Sequence, residues 1–285
     1  MRTAIAAIGL LLCLAVSVDA HPGSAIALDR QGNIYFVDTG SGIYQIDTRG
    51  QLTRIRGPAF HWMTIDLDHR FAATQWPSLP GAEFRAAPGN PALIMSSDFP
   101  VAIGRDGAFY YPEPRSGGHV NVIRLTAAGT RSILATVPLP WLNGMAAGAD
   151  GSIYYTEDGA VRRIDARGRI STVASGIRLR QCGRVPGIGP ESGVYLRGLD
   201  VTADGTVYVA ASGCGAVLKI TSRGEVHELL RITSPWSPTS VAAGRDGIYV
   251  LEYLHTALDD RREWTPRVRK LSSDGRQTMI ATIRR

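Results

Sequence analysis

Apolar and polar residues alternate along this chain in short stretches, and one arrangement of them recurs. A small or apolar run leads into a turn with Asp and Gly, and a strand containing tyrosine follows it. The clearest copies are Ala25–Asp38, Met145–Glu157, Leu199–Ala210 and Val241–Leu251. Short alternating segments between such turns are typical of antiparallel strands. Because the arrangement returns at intervals of roughly 40 residues, it predicts the blades of a β-propeller.

Aligning the repeats on this first turn defines six units. Their marker positions are Gly32, His69, Gly107, Gly151, Gly205 and Gly247. Glycine suits the marker position because a hairpin turn needs a residue with positive φ. Within unit one, strands are predicted at about 24–29, 33–38, 43–47 and 52–56. We therefore predict an all-β protein, a six-bladed β-propeller of four-stranded antiparallel blades.

Unit two matches the pattern least well. Ile65–Phe71 fits a first hairpin, but Trp76–Pro91 contains four prolines and predicts no clear third strand. Only three residues of the predicted mature chain precede the first strand, so no N-terminal strand is available to complete the last sheet. We expect the ring to close by face-to-face packing of unit six against unit one.

The N-terminus has the pattern of a cleavable signal peptide. Arg2 precedes an apolar run from Ala4 to Val18, and the segment ends on the small residue Ala20. A membrane anchor is the alternative, but the run is too short to span a bilayer well. We predict a signal peptide over residues 1–20 and one propeller domain over 21–285, secreted or periplasmic, monomeric and without membrane contact after cleavage.

Charge and cysteine content add two expectations. The formal net charge is +6, and predicted cleavage removes one Arg and one Asp, which leaves it unchanged. The arginines are scattered and aromatic residues do not interleave with them, so no nucleic-acid partner is predicted. An acidic partner and a plain solvated surface both stay open. Cys182 and Cys214 survive cleavage, and an even number in an exported chain suggests one disulfide.

In a four-stranded meander, connections alternate between two faces of the ring. The first-to-second and third-to-fourth turns share one face, here called the short-turn face, and they are uniformly short. The second-to-third connections and the links between blades share the other, the loop-rich face. All the long segments fall there, namely Trp76–Pro91, Tyr111–Val120, Ile177–Tyr195 and Glu252–Pro266. Long loops on a rigid scaffold usually carry function, so the loop-rich face is the predicted binding face.

Each innermost strand should begin at the central channel on this face. Counting eight residues back from each marker gives six equivalent ring positions, Ser24, His61, Phe99, Asn143, Arg197 and Thr239. Convergent polar groups in a concave mouth are a candidate ligand site. The alternative is that they cap strands and bind channel water.

The units resemble NHL-type repeats, and the whole chain resembles the gluconolactonase-like (senescence-marker-protein, regucalcin-like) six-bladed propellers. Asn143-Gly-Met, followed by Ala149-Asp-Gly-Ser-Ile-Tyr, is similar to the family segment whose Asn binds a divalent metal. Arg197-Gly-Leu, followed by Ala203-Asp-Gly-Thr-Val-Tyr, matches the segment that begins with the family's catalytic, metal-binding Asp. The resemblance thus implies a propeller with a metal site in the channel mouth.

This chain departs from the family at that site. The position of the family Asp is taken by Arg197, and the position of its Glu by Gly23 or Ser24. A substrate-binding Asn of the family falls near His61, so Asn143 is the one family site residue that this chain keeps. A hard cation such as Ca²⁺ prefers several carboxylate oxygens, and a guanidinium would repel it. We therefore expect no cofactor, with Ca²⁺ as the alternative if a loop carboxylate such as Glu191 or Glu157 substitutes. Arg197 could instead bind a carboxylate or phosphate bidentately.

Other candidates have structural alternatives. His61 could act as a general base, and His119 and His255 could act as metal ligands. For all three histidines, a purely structural role is the alternative. Asp38, Glu113 and Glu157 follow second strands, where carboxylates usually bind backbone amides. Four tryptophans lie in or beside loops of the loop-rich face and would suit a sugar or peptide, or pack between blades: Trp76, Trp141, Trp236 and Trp264.

Taken together, these patterns predict a binding module for a small-molecule, protein or glycan ligand on the loop-rich face. The alternative is a lactonase-type hydrolase with an altered metal site, so whether the protein is an enzyme stays open.

Overall fold

The computed structural model is a six-bladed β-propeller, as predicted. The residues that it describes are 23–39, 41–57, 60–71, 74, 84–87, 89, 91–97, 99–139, 142–157, 159–180, 182, 193–255 and 265–284. The predicted signal peptide lies outside them. No helix in this part of the chain is long and apolar enough to cross a membrane.

Five of the blades are antiparallel meanders of four strands in chain order. Blade one consists of β1 (Ile26–Leu28), β2 (Ile34–Asp38), β3 (Gly42–Ile46) and β4 (Leu52–Arg56). Blade three consists of β8 (Ala102–Ile103), β9 (Phe109–Arg115), β10 (His119–Leu125) and β11 (Arg131–Val137). Blade four consists of β12 (Gly144–Ala147), β13 (Ile153–Glu157), β14 (Ala160–Ile164) and β15 (Ile170–Ala174). Blade five consists of β16 (Leu196–Val201), β17 (Val207–Ala211), β18 (Ala216–Ile220) and β19 (Val226–Arg231), with a 3₁₀ turn at Ser212–Cys214. Blade six consists of β20 (Trp236–Gly244), β21 (Gly247–Leu254), β22 (Pro266–Ser272) and β23 (Gln277–Thr282).

Blade two differs from the meander predicted for it. Its described strands are β5 (Trp62–Asp66), β6 (Phe84–Ala87) and β7 (Ala92–Ser96), in the sheet order β5-β7-β6. The predicted first hairpin is therefore wrong, because the partner of β5 is β7. All five residues of β7 are buried, and this apolar run suits the central position between two strands. The chain does turn after β5, where the Phe71 N–H donates to Asp66 at 2.9 Å.

The hydrophobic core is divided among the interfaces between blades. Each of six buried clusters in the described chain joins the facing sides of two neighbouring blades. In blade one, β2 is buried along its whole length, whereas the outermost strand β4 is exposed at every residue. Burial on both faces explains the continuous apolar second strands, because each sheet is covered by a blade on either side.

The ring closes by packing of blade six against blade one. Ile26 and Phe36 of blade one share a buried cluster with Leu251 and Tyr253 of blade six. The Tyr253 hydroxyl also donates a 2.7 Å hydrogen bond to the Val37 carbonyl. This agrees with the expected face-to-face closure, since all four strands of the blade-six sheet come from the C-terminal segment.

The turn chemistry follows the predicted markers. Gly151 has φ 80°, and His69 takes the same left-handed region with φ 53°. A non-glycine residue is uncommon there, although histidine tolerates this region better than most residues do. The Asp68-His69 turn is therefore a true counterpart of the Asp-Gly turns.

A polar network that the sequence analysis did not predict supports the first turn in five of the six blades. In blade three, Asp106 accepts hydrogen bonds from the Ala108 N–H at 3.1 Å, the Tyr110 hydroxyl at 3.0 Å and Arg124 Nε at 2.9 Å. Burial by itself would raise the pKa of Asp106, but the Ala108 N–H and the Arg124 guanidinium bring it below its ordinary value of 3.8. Related networks are centred on Asp29, Asp150, Asp204 and Asp246.

Candidate functional site

The six innermost strands form a closed ring around the propeller axis. Neighbouring blades contact each other through these strands, in the cyclic order β1, β5, β8, β12, β16, β20 and back to β1. All six begin at the loop-rich face, where the links between blades arrive. The predicted ring positions lie at these beginnings, so the structure brings them to one end of the channel.

Most of the ring side chains are buried. Ser24, His61, Phe99, Arg197 and Thr239 are at most 8% exposed. Asn143 is half-buried. Ser24, His61, Phe99 and Asn143 lie just before their strands, whereas Arg197 and Thr239 lie within theirs.

The ring positions of blades one, two and three are held by main-chain bonds. The Ser24 N–H donates to the His61 carbonyl at 2.9 Å, which joins two neighbouring blades. His61 Nδ1 lies against the Ser97 carbonyl, so this nitrogen carries the proton. The Phe99 N–H donates to Ser96 Oγ at 3.2 Å. The backbone positions of all three are therefore set by the scaffold.

The ring positions of blades four and five are linked in the same way. The Asn143 N–H donates to the Thr156 carbonyl at 3.0 Å. The Thr156 hydroxyl donates to the Arg197 carbonyl, also at 3.0 Å. Gly144 lies directly beneath this contact, since a Cβ at that residue would be 2.3 Å from the Arg197 oxygen. Asn143 and Arg197 thus occupy adjacent, closely packed strands.

Arg197 is the charged member of the ring. Its guanidinium carbon lies 5.8 Å from the centre of the Tyr195 ring, within the range of a cation–π contact. Burial lowers the pKa of Arg197 from its ordinary value, and the Tyr195 and Tyr253 side chains oppose that shift. Even so, a guanidinium keeps its proton in proteins. The sequence analysis missed both tyrosines; Tyr195 lies two residues before Arg197, but nothing local connects Tyr253 to it.

The donor set of the ring does not fit a hard cation. Asn143 supplies one amide oxygen, whereas the guanidinium of Arg197 supplies only N–H donors. Glu157 binds Arg162 Nε at 2.6 Å, and Glu191 lies outside the described residues. No group of three His, Cys, Asp or Glu side chains in the described part of the chain could hold a metal ion.

Two of the three carboxylates expected to bind backbone amides, Glu113 and Glu157, bind arginines instead, and both lie within their second strands. Glu113 accepts a hydrogen bond from Arg131 at 2.5 Å, as Glu157 does from Arg162. Glu252 is fully buried and lies 2.6 Å from Arg267 and 2.5 Å from Arg269, which come from the next strand of its blade. Asp38 is also buried. The three glutamates therefore tie strands of their own blades together.

One loop of the loop-rich face is shorter than predicted. Residues 111–120, expected as a long loop, mostly belong to β9 and β10, which extend to the tight turn at Gly117 and Gly118. Trp236 is half-buried, with the Arg267 guanidinium 3.7 Å above its ring, and it packs between blades five and six. The other three loop tryptophans lie outside the described residues.

The predicted disulfide is confirmed. Cys182 and Cys214 are joined by an S–S bond of 2.02 Å. It connects the segment after β15 to the 3₁₀ turn of blade five on the loop-rich face. Arg231 supports the same contact by donating to the Cys214 carbonyl at 2.6 Å and the Arg180 carbonyl at 3.2 Å.

Comparison with known proteins identifies the fold and nothing narrower. No protein-family model matches the chain, and no curated protein matches it in sequence. Among solved structures, virginiamycin B lyase from Staphylococcus aureus is 16% identical, with a TM-score of 0.51 over 89% of this chain and 82% of the lyase. A luciferin-regenerating enzyme is 17% identical, with a TM-score of 0.53 over 84% and 86% of the two chains. The PQQ-bound aldose sugar dehydrogenase from Streptomyces coelicolor is 13% identical, with a TM-score of 0.52 over 85% and 90%. This chain is therefore similar to propellers that carry several different chemistries.

Proposed function

We propose that this protein is an exported binding propeller whose channel mouth on the loop-rich face takes a ligand with a carboxylate or phosphate group. The observation that carries the proposal is the guanidinium of Arg197 at a ring position, only 7% exposed and held between closely packed inner strands. An acidic sugar, a small organic acid or an acidic protein segment would present the required group.

The physical basis is the stronger attraction between a cation and an anion in a site from which water is excluded. A guanidinium presents donors in a fixed fork that matches a carboxylate bidentately. Coulombic attraction strengthens as the surrounding dielectric falls, so a buried guanidinium attracts an anion more strongly than an exposed one. The Arg197 side chain is already buried before binding, so little further rotamer freedom is lost when a ligand orders it.

Asn143 and His61 complete the proposed site with polar groups of other kinds. The side-chain amide of Asn143 offers both a donor and an acceptor, and half-burial keeps it within reach of a ligand. His61 contributes an imidazole ring that is oriented by the contact of its Nδ1 with the Ser97 carbonyl. One fixed cation with two neutral polar groups suits a ligand with one acidic end and several hydroxyls.

Export is part of the proposal and rests on two features. The N-terminal sequence has the charge, apolar run and small final residue of a signal peptide. The Cys182–Cys214 disulfide is the kind of bond that persists outside the reducing cytosol. Both features support a secreted or periplasmic protein.

Thermal-shift titration of the mature protein with glucuronate, galacturonate and their neutral parent sugars tests the proposal. An acidic sugar at a hundredfold excess over its dissociation constant should stabilise the protein by about 2.7 kcal/mol. For a chain of this size, that corresponds to a rise in melting temperature of about 5 °C. The neutral sugars should give a smaller shift.

The matched variants are Arg197→Lys and Arg178→Lys. Lysine at position 197 keeps the charge but loses the fork, so the shift should shrink there. Arg178 is exposed on the same face, and its replacement should leave the shift intact. Equal responses in the two variants, or no shift with any acid, would contradict the proposal. A shift with Ca²⁺ alone would favour the hydrolase alternative.

A further inference from the structure

A second concave site lies at the opposite end of the channel, on the short-turn face. A cavity of about 440 Å³ opens there. Its walls include apolar residues from the ends of four successive innermost strands, in blades two to five: Ile65, Ile103, Ala147 and Val201. The volume lies within the range of small-molecule sites.

Three arginines from three successive blades line this cavity. Arg30 and Arg105 each lie two residues before their marker glycine, and Arg70 follows the marker His69. All three belong to the first turns of their blades, so the ring symmetry brings them together. Arginine at this turn position therefore places guanidinium groups at the rim of the channel.

The scaffold orients two of these guanidinium groups. Asp68 bridges Arg30 and Arg70, with a distance of 2.9 Å from each arginine to a different carboxylate oxygen. Arg70 also lies directly against Gly107 of the next blade, where a Cβ would be only 1.2 Å from its Nη1. Glycine at this position thus makes room for the Arg70 side chain.

Arg105 extends across to blade four. Its Nη1 donates to the Ala149 main-chain carbonyl at 3.3 Å. One hydrogen bond each orients the guanidinium groups of Arg30, Arg70 and Arg105 in the described chain. Because a guanidinium has five N–H donors, a group held in this way can still donate to a ligand.

The local charge favours an anion. The three guanidinium groups face two carboxylates, and the Asp66 side chain is buried and accepts a hydrogen bond from the Phe71 N–H. The shared Asp68 can neutralise only one of the two arginines that it bridges. An excess of positive charge in a cleft with apolar walls attracts anions and focuses the field on them.

We propose that this channel mouth binds a small organic anion with two or more carboxylate or phosphate groups. Such a ligand can bridge Arg105 and the Arg30–Arg70 pair while its carbon skeleton packs on the apolar walls. The site is separate from the one around Arg197, since the two lie at opposite ends of the innermost strands.

Isothermal titration calorimetry with citrate and with pyrophosphate, at low ionic strength, tests the proposal. We expect saturable binding of at least one probe and a loss of affinity as salt is added. The triple variant Arg30→Gln/Arg70→Gln/Arg105→Gln should bind at least about tenfold more weakly, because charge-assisted contacts are lost.

The matched control is Arg49→Gln/Arg167→Gln/Arg276→Gln. These exposed arginines lie in third-to-fourth turns of the same face, outside the cavity, so the control removes the same net charge. Equal weakening in both triple variants would overturn the proposal, as would the absence of saturable binding with both probes. If the first triple variant does not fold, Arg105→Gln alone provides the test, because it removes one hydrogen bond to a main-chain carbonyl.

Discussion

Removal of the Cys182–Cys214 crosslink should lower the stability of the protein by a calculable amount. The bond joins residues 32 positions apart. In the chain-entropy model, a loop of this length gives about 4 kcal/mol, because the crosslink restricts the unfolded chain. For a protein of this size, the corresponding fall in melting temperature is about 7 °C.

The measurement is differential scanning calorimetry of the oxidised protein, the protein in reductant and the Cys182→Ala/Cys214→Ala variant. Cys214 is 3% exposed within the cluster between blades four and five, so the variant also loses packing contacts. Reductant removes the crosslink alone. The variant should therefore melt somewhat below the reduced protein.

A thiol assay must accompany the calorimetry. Complete reduction with an unchanged melting temperature would refute the loop-entropy reasoning. It would mean that blade five unfolds separately from the transition that is measured. Free thiols in the protein kept under oxidising conditions would contradict the pairing itself.

Three further outcomes follow from the packing and the charges. Gly144→Ala should destabilise the protein by about 1–3 kcal/mol in urea unfolding, because its Cβ would meet the Arg197 carbonyl at 2.3 Å; wild-type stability would show that the strands can separate freely. Glu252→Ala should cost about 3 kcal/mol by leaving two half-buried arginines without their carboxylate, and more than Glu113→Ala at an exposed pair; equal losses would contradict this reasoning. The folded-state pKa of turn carboxylates such as Asp150 lies below the ordinary 3.8, so their contribution is present above that value and lost as pH falls below it; urea unfolding at a series of pH values should therefore show falling stability in acid, and a flat profile there would contradict it.

The fold was predictable because turn chemistry is local. Five of the six markers are glycines, and all but one of the six units follow the predicted meander. Even His69 could be placed, since Asp68 before it and the apolar residues after it keep the repeat spacing. A backbone conformation that depends on one or two residues is visible in the sequence around them.

The second blade was not predictable in this way. Its strand order depends on which apolar run occupies the central position, and that is a competition between segments far apart in the chain. Ala92–Ser96, buried throughout, pairs with β5 in place of the residues that directly follow the Asp68-His69 turn. Likewise, the local sequence did not indicate that β9 and β10 extend as far as the turn at Gly117 and Gly118.

The ring positions could be counted from the repeats, but their surroundings could not. Arg197 lies against the ring of Tyr195 in its own blade and is influenced electrostatically by Tyr253 of the next blade. The second interaction depends on how two sheets face each other. The arginines of the short-turn mouth are a similar case. Arg30 and Arg105 share a repeat position, but Arg70 reaches the same cavity from a different one.

The close packing of the inner strands limits which side chains can line the channel mouth. Gly23, Gly144 and Gly198 stand beside three ring positions. A Cβ at Gly23 would lie 2.8 Å from the Tyr253 hydroxyl, and one at Gly144 would lie 2.3 Å from the Arg197 carbonyl. At Gly198, a Cβ would lie 2.1 Å from Ser240 Oγ. Strands that approach this closely leave no room for side chains between them, so the neighbouring ring residues are the ones free to vary. A single exchange there, such as arginine for the aspartate of the resembling family, can replace a metal ligand with a cation without changing the scaffold. Repeats that specify the blades so clearly therefore say little about what the channel binds.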